Sequence, residues 1–157
     1  MPAYLIRHAH AVNAEEDPRR PLSRRGRKQV RALARFLRTT AAFQPDEIWQ
    51  SPLARAQETA ALLRQGLGSS VRIVTVAELE TGAGVAVLAA RLRKSRRSVA
   101  LVGHEPHLGA LASLLVAGAA EPSLLVLKKC AVVALERVGT RWAVRWQVVP
   151  ELLESPA

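Results

Sequence analysis

Ala3-Tyr4-Leu5-Ile6-Arg7-His8-Ala9-His10 is a run of four apolar residues that ends abruptly in a basic, histidine-bearing cluster. An apolar run of this length is too short for a helix and reads as a buried strand. It would deliver Arg7 and His8 to a loop at its C-terminal end, where α/β folds place their chemistry. The same transition recurs twice. Glu47–Gln50 reads as a strand running into Ser51-Pro52-Leu53-Ala54-Arg55, and Ser98–Val102 as a strand running into Gly103-His104-Glu105-Pro106-His107.

Helical spacing fills the gaps between these strands. Ser23 is a good N-cap for a helix reaching about Thr39, with Val30, Leu33, Ala34 and Leu37 on one side and Gly26 as a weakening residue early in it. Leu53–Leu67 is a second helix ending at Gly66–Gly68, Val71–Val76 a third strand, and Val85–Leu92 and Leu108–Val116 further helices. Beyond Pro122 the pattern changes. Leu124–Leu127, Ala131–Leu135 and Trp142–Val149 read as strands, the last two joined by a turn around Gly139. The expected fold is therefore α/β, a three-layer α/β/α sandwich around a mostly parallel sheet with an antiparallel C-terminal part. At 157 residues the expectation is a single domain over residues 1–157.

Composition narrows the function classes. Hydrophobic residues at 49% and charged residues at 23% fit a globular chain rather than a disordered one. The longest uncharged run, Leu108–Ala120, is shorter than the roughly 20 apolar residues of a membrane span. The apolar stretch before Arg7 is too short for a secretory signal, and the lone Cys130 cannot form an internal disulfide, so a cytoplasmic protein is expected. The net charge of +10 is concentrated. Nine basic and no acidic residues fall between Arg19 and Arg38, and five more basic residues between Arg91 and Arg97. Solvated surface helices explain such runs, and an acidic protein partner is the alternative. Nucleic acid is disfavoured because the aromatic interleaving of a single-strand binder is missing.

All four histidines fall in the two post-strand motifs. Parallel strands present their C-terminal ends on one edge of a sheet, so His8 and His104 can meet there although far apart in the chain. Arg55, on the first turn of its helix, points at the same edge. A phosphoryl group spreads its charge over three equatorial oxygens and needs an in-line nucleophile with fixed donors around it. Arginine grips such oxygens in a planar fork, and a neutral imidazole can attack phosphorus. His8 is the expected nucleophile, with Arg7, Arg55 and His104 holding the phosphoryl oxygens. His10 and His107 are expected at the pocket rim or in packing, and Cys130 as a small buried hydrophobe.

Strand then Arg7-His8, Ser51-Pro52-x-x-Arg55-Ala56-x-x-Thr59, and the late Gly103-His104 together resemble the histidine phosphatase superfamily, also called phosphoglycerate mutase-like. Arg20-Pro21-Leu22-Ser23-x-x-Gly26, the Glu78-Leu79 stretch and the compact ending are similar to its SixA branch. Ala9 departs from the commoner Arg-His-Gly. The resemblance implies catalysis through a phosphohistidine intermediate without metal or cofactor. It also implies a phosphorylated protein substrate, such as a histidine phosphotransfer domain, and a signalling role. For the general acid it offers two positions, Glu80 at the spacing of the mutase-like members and Glu78 in the SixA-type pair. An imidazole leaving group, with its ordinary pKa near ~6.5, needs that acid least.

Three other functions compete. A phosphatase for small phosphomonoesters (sugar phosphates or nucleotides) would use the same residues. A metal-dependent hydrolase would use His8 and His10 with His104 or His107 as ligands, but leaves Arg7 and Arg55 beside a cation without a task. A basic binding module for nucleic acid or an acidic protein would use Arg24–Arg38 and would survive loss of His8.

Overall fold

The structure is a computed structural model that describes residues 1–153. Strands β1 (Pro2–Arg7), β2 (Glu47–Gln50), β3 (Arg72–Thr75), β4 (Val99–Gly103), β5 (Val132–Val138) and β6 (Arg141–Val148) form one sheet in the order β3-β2-β4-β1-β5-β6. Helices α1 (Arg24–Arg38), α2 (Ala54–Leu67), α3 (Val85–Lys94) and α4 (His107–Ala117) connect them. The first four strands are mutually parallel, whereas β5 runs antiparallel to both β1 and β6. This is the sandwich with an antiparallel end that the sequence implies.

The layering follows from the two-residue period of a strand. In β1, Ala3 and Leu5 face a core shared with α3 and α4, while Tyr4 and Ile6 face a core shared with α1 and α2. Strand β4 divides in the same way, Val99 and Leu101 to one side and Ala100 and Val102 to the other. Both faces are covered, which is why these central strands are apolar throughout. Leu5, Ile6 and Leu101 are wholly buried. Burial of such side chains contributes about 1.5–3 kcal/mol each, so the strands that carry the motifs are anchored by their own apolar stems. No helix among the described residues is long and apolar enough to cross a membrane.

Helix α1 begins where Ser23 caps it, the hydroxyl accepting from the N–H of Gly26. Its buried stripe is Val30, Leu33, Ala34 and Leu37, and the seven basic residues of the helix are exposed. Gly26 is not a mere weakness in this helix. A Cβ placed there would lie 2.0 Å from the carbonyl oxygen of His10, so only glycine lets the helix approach the strand-end loop this closely.

One expected strand does not form. Leu124–Leu127 is irregular because side chains, not a neighbouring strand, take its backbone groups. The Ser113 hydroxyl accepts from the Leu124 N–H, Glu105 accepts from the Leu127 N–H, and Arg7 donates to the Leu127 carbonyl. Gly109 makes room for this segment, since a Cβ there would lie 2.3 Å from the Leu125 carbonyl oxygen. An apolar tetrapeptide alone does not distinguish a strand from a strap packed on a helix.

Gly26→Ala should therefore destabilise the protein by about 1–3 kcal/mol, the usual cost of overpacking against a part that cannot yield. Urea denaturation measures it. A loss below about 0.5 kcal/mol would mean that α1 shifts freely from the His10 loop.

Candidate active site

Strands β1 and β4 are adjacent and parallel, with Arg7 level with Gly103. The ladder runs one residue further, the N–H of His8 donating to the Gly103 carbonyl at 2.9 Å. His8 and His104 thus leave the sheet side by side, their ring centroids 5.2 Å apart. The chain continues from β1 through α1 towards β2, but from β4 through α4 to β5 on the other side. The two connections diverge and leave a crevice where the strand order reverses, as open α/β sheets do at their ligand sites.

Each ring has its orientation fixed. His8 Nδ1 lies 2.7 Å from the carbonyl oxygen of Ala9. A carbonyl only accepts, so Nδ1 carries the proton and Nε2 the lone pair. The N–H of Ala9 donates to the Thr59 hydroxyl at 3.1 Å, and that hydroxyl donates to the Arg55 carbonyl at 2.7 Å, which ties the loop after β1 to the first turns of α2. His104 Nε2 shares a 2.6 Å hydrogen bond with the buried Ser51 hydroxyl, which also accepts from the Leu53 N–H. Arg7 Nη1 donates to Leu127 at 3.0 Å. Arg7 Nε, Arg55 Nε and His104 Nδ1 are buried and have no partner. Leaving such atoms buried and unpaired costs about 1–3 kcal/mol each, so the cluster is poised for an acceptor.

Electrostatics select the charge of that acceptor. Burial holds the His8 imidazole down to about 3, helped by His104, Arg55 and Arg7. Burial, followed by Arg55, brings His104 down to about 4. Both values lie well below 7, so both rings are neutral at that pH. None of the ion pairs among the described residues neutralises Arg7 or Arg55. A neutral nucleophilic nitrogen sits among cations and unsatisfied donors, an arrangement that suits a compact polyoxyanion.

Other residues singled out in the sequence lie at varying distances from this cluster. His107 Nε2 donates to the Glu78 carbonyl at 2.7 Å and fastens the loop after β4 to the short helical turn Ala77–Leu79. His10 pairs with Ser23 at 2.6 Å, beside the helix α1 cap. The Glu78 carboxylate is occupied by Arg91 at 3.6 Å. Glu80 follows that turn as an exposed residue, its carboxylate without a hydrogen-bond or ion-pair partner among the described residues. Cys130 is buried, its thiol pushed up to about 12 by desolvation, but its N–H donates to the carbonyls of Arg7 and His8. The supporting roles of Ser51 and Thr59 were missed by residue-level chemistry. Their only signal was membership of the Ser-Pro-x-x-Arg-Ala-x-x-Thr motif. Among the described residues, no three His, Cys, Asp or Glu side chains converge as a metal site.

Residues 3–83 match the family described as the histidine phosphatase superfamily, branch 1. No curated protein matches the chain in sequence. Among solved structures, the protein histidine phosphatase SixA complexed with tungstate is similar at TM-score 0.86 and 23% identity, covering 98% of this chain and 100% of that one. A protein named as the phosphohistidine phosphatase SixA of Agrobacterium tumefaciens is similar at TM-score 0.76 and 25% identity, over 95% and 97% of the two chains. The α-ribazole phosphatase from Shigella flexneri aligns at TM-score 0.76 and 19% identity, over 92% and 95%.

The depressed imidazoles make stability pH-dependent. Between the ordinary histidine value of 6.5 and the values of about 3 and 4 in the fold, the unfolded chain binds more protons than the folded one, so stability falls as pH falls through that window. His8→Asn removes one of the titrating groups. In denaturation series at pH 6 to 4, this variant should lose stability on acidification less steeply, by up to about 1.4 kcal/mol per pH unit. An unchanged slope would contradict the burial of His8 as a neutral ring.

Proposed function

This chain belongs to the histidine phosphatase superfamily, and on that premise we propose that it is a phosphatase that uses His8 as nucleophile and removes phosphoryl groups from phosphohistidine on proteins. The observation that carries the reading is the set of buried, unpaired atoms Arg7 Nε, Arg55 Nε and His104 Nδ1 around an imidazole held neutral.

In the first step Nε2 of His8 attacks phosphorus, a P–N bond forms, and the bond to the leaving group breaks with its electron pair. Arg7, Arg55 and His104 bind the three equatorial oxygens as charge builds there. One such donor is typically worth about 10²–10³ in rate. The Nδ1–H bond to Ala9 keeps the ring aligned and stabilises the positive charge that it acquires. Water then attacks the phosphohistidine, inorganic phosphate leaves, and His8 recovers its lone pair.

Leaving-group chemistry supports the choice of substrate. Glu78 is held by Arg91, which leaves the exposed Glu80 as the proton source of our reading. An imidazole, with its ordinary pKa of ~6.5, needs a proton donor far less than an alkoxide does, so a site with so little acid catalysis to offer suits a phosphohistidine. The compact connections around the crevice favour a phosphorylated side chain on a protein over a metabolite that gains from enclosure.

Three measurements follow from this reading. His8→Ala should abolish turnover while His8→Asn still binds vanadate, monitored by inhibition kinetics and calorimetry; equal activity in His8→Ala would end the mechanism. Glu80→Gln should slow an alkyl phosphate at least tenfold more than a phosphohistidine peptide, compared by initial rates. Equal effects would remove Glu80 as the acid. In a panel of phosphohistidine peptide, phosphoserine peptide, sugar phosphates and nucleotides, kcat/KM should be highest for phosphohistidine. A tenfold preference for a small phosphomonoester would replace the substrate while leaving His8 in place.

A further inference from the structure

The two non-glycine residues with positive φ among the described residues are Arg20 at 49° and Cys130 at 62°. Both occur in segments clamped to the end of β1. Around Arg20 the loop is closed by an Ala11–Leu22 bridge, by the Val12 N–H on Pro21 and by the Ser23 N–H on the His10 carbonyl. The Arg20 guanidinium is itself pinned, Nε donating to the Val12 carbonyl at 3.1 Å. On the other side, the Cys130 N–H donates to the Arg7 and His8 carbonyls and so fixes the backbone next to Lys129 at the end of β1. Left-handed backbone is disfavoured for residues with a Cβ, and it persists where function or surrounding structure demands it. In both segments it positions a half-buried cation.

None of the ion pairs among the described residues involves Arg20, Arg25 or Lys129. They also lie within electrostatic reach of one another and of the phosphoryl cluster. Lys129 loses proton affinity through burial and then through Arg7, Arg20 and Arg25, and Arg20 also acts on Arg55 and His104. Arg25 begins a stripe with Lys28 and Arg35 that lines a groove of about 500 Å³ closed by Pro150 and Leu153. Positive charge thus continues along α1 through Arg25, Lys28 and Arg35.

We propose that Arg20, Arg25 and Lys129 form a second anion subsite at the mouth of the crevice, which binds a carboxylate side chain close to the phosphorylated residue of the protein substrate. This rests on the protein-phosphatase reading above and adds its specificity: acidic residues beside the phosphohistidine are selected. The cations touch the neighbouring side chain rather than the reacting phosphorus, so the gain appears as a preference between substrates.

Two comparisons test it, each in wild type, Arg20→Gln, Lys129→Gln and the double variant. Arg20→Gly serves if Arg20→Gln folds poorly, since glycine tolerates the backbone. The first titrates phosphonocarboxylates of two to four carbons against the matching alkylphosphonates by calorimetry. The second measures kcat/KM for phosphohistidine peptides flanked by Asp and Glu against the same peptides flanked by Ala. Wild type should favour the acidic member at least tenfold in both comparisons, and the double variant by no more than twofold. A preference that is absent in wild type, or survives in the double variant, overturns the subsite. Phosphohistidine turnover without flank preference would sink the subsite alone. A phosphonocarboxylate preference lost in the variant, without turnover of any phosphohistidine peptide, would keep the subsite and assign its carboxylate to a small phosphorylated acid.

Discussion

The pairing of β1 with β4 is the constraint on which the site depends. Parallel neighbours in register place Arg7 level with Gly103, and the next residue of each strand is a histidine. No flexible search brings His8 and His104 together; the backbone ladder does, and it continues through the His8 N–H to Gly103. The free energy that holds this geometry is the burial of Leu5, Ile6 and Leu101 between two helical layers. Function here is a by-product of packing two apolar strands at a point where the connections part.

Around that pair, the protein has removed the alternatives open to a histidine. The Ala9 carbonyl fixes the tautomer, and burial with two nearby arginines keeps the proton off Nε2. Placing uncompensated cations beside buried donors is unfavourable for folding. Such local instability is common where a ligand supplies the missing charge. The left-handed Arg20 and Cys130 fit that pattern, each in a segment fastened to the strand end.

Much of this was legible in the sequence because it is local. Apolar runs ending in Arg-His or Gly-His mark buried strands with polar exits, and Ser23 marks the start of α1 by its own hydroxyl. The failures were of another kind. Leu124–Leu127 has the composition of a strand, yet its partners are Ser113, Glu105 and Arg7, three side chains distant in sequence. Gly26 looked like a flaw in a helix because the His10 carbonyl that excludes any side chain there is a tertiary neighbour. Ser51 and Thr59 carry no charge and announce nothing alone; their role appears only when His104 and Ala9 arrive beside them. For Cys130, buriedness was readable, whereas its backbone N–H on Arg7 and His8 was not.

The claim at the centre is that His8 Nε2, held by Ala9 and ringed by Arg7, Arg55 and His104, is the atom that meets phosphorus. A crystal structure with bound vanadate addresses it directly, because vanadium adopts the trigonal-bipyramidal arrangement of the transferring phosphoryl group. The account predicts vanadium bonded apically to His8 Nε2, equatorial oxygens in hydrogen-bond reach of Arg7, Arg55 and His104 Nδ1, and the His8–Ala9 hydrogen bond intact. Vanadate bound away from His8, or a His8 ring turned so that Nδ1 faces the metal, would contradict it.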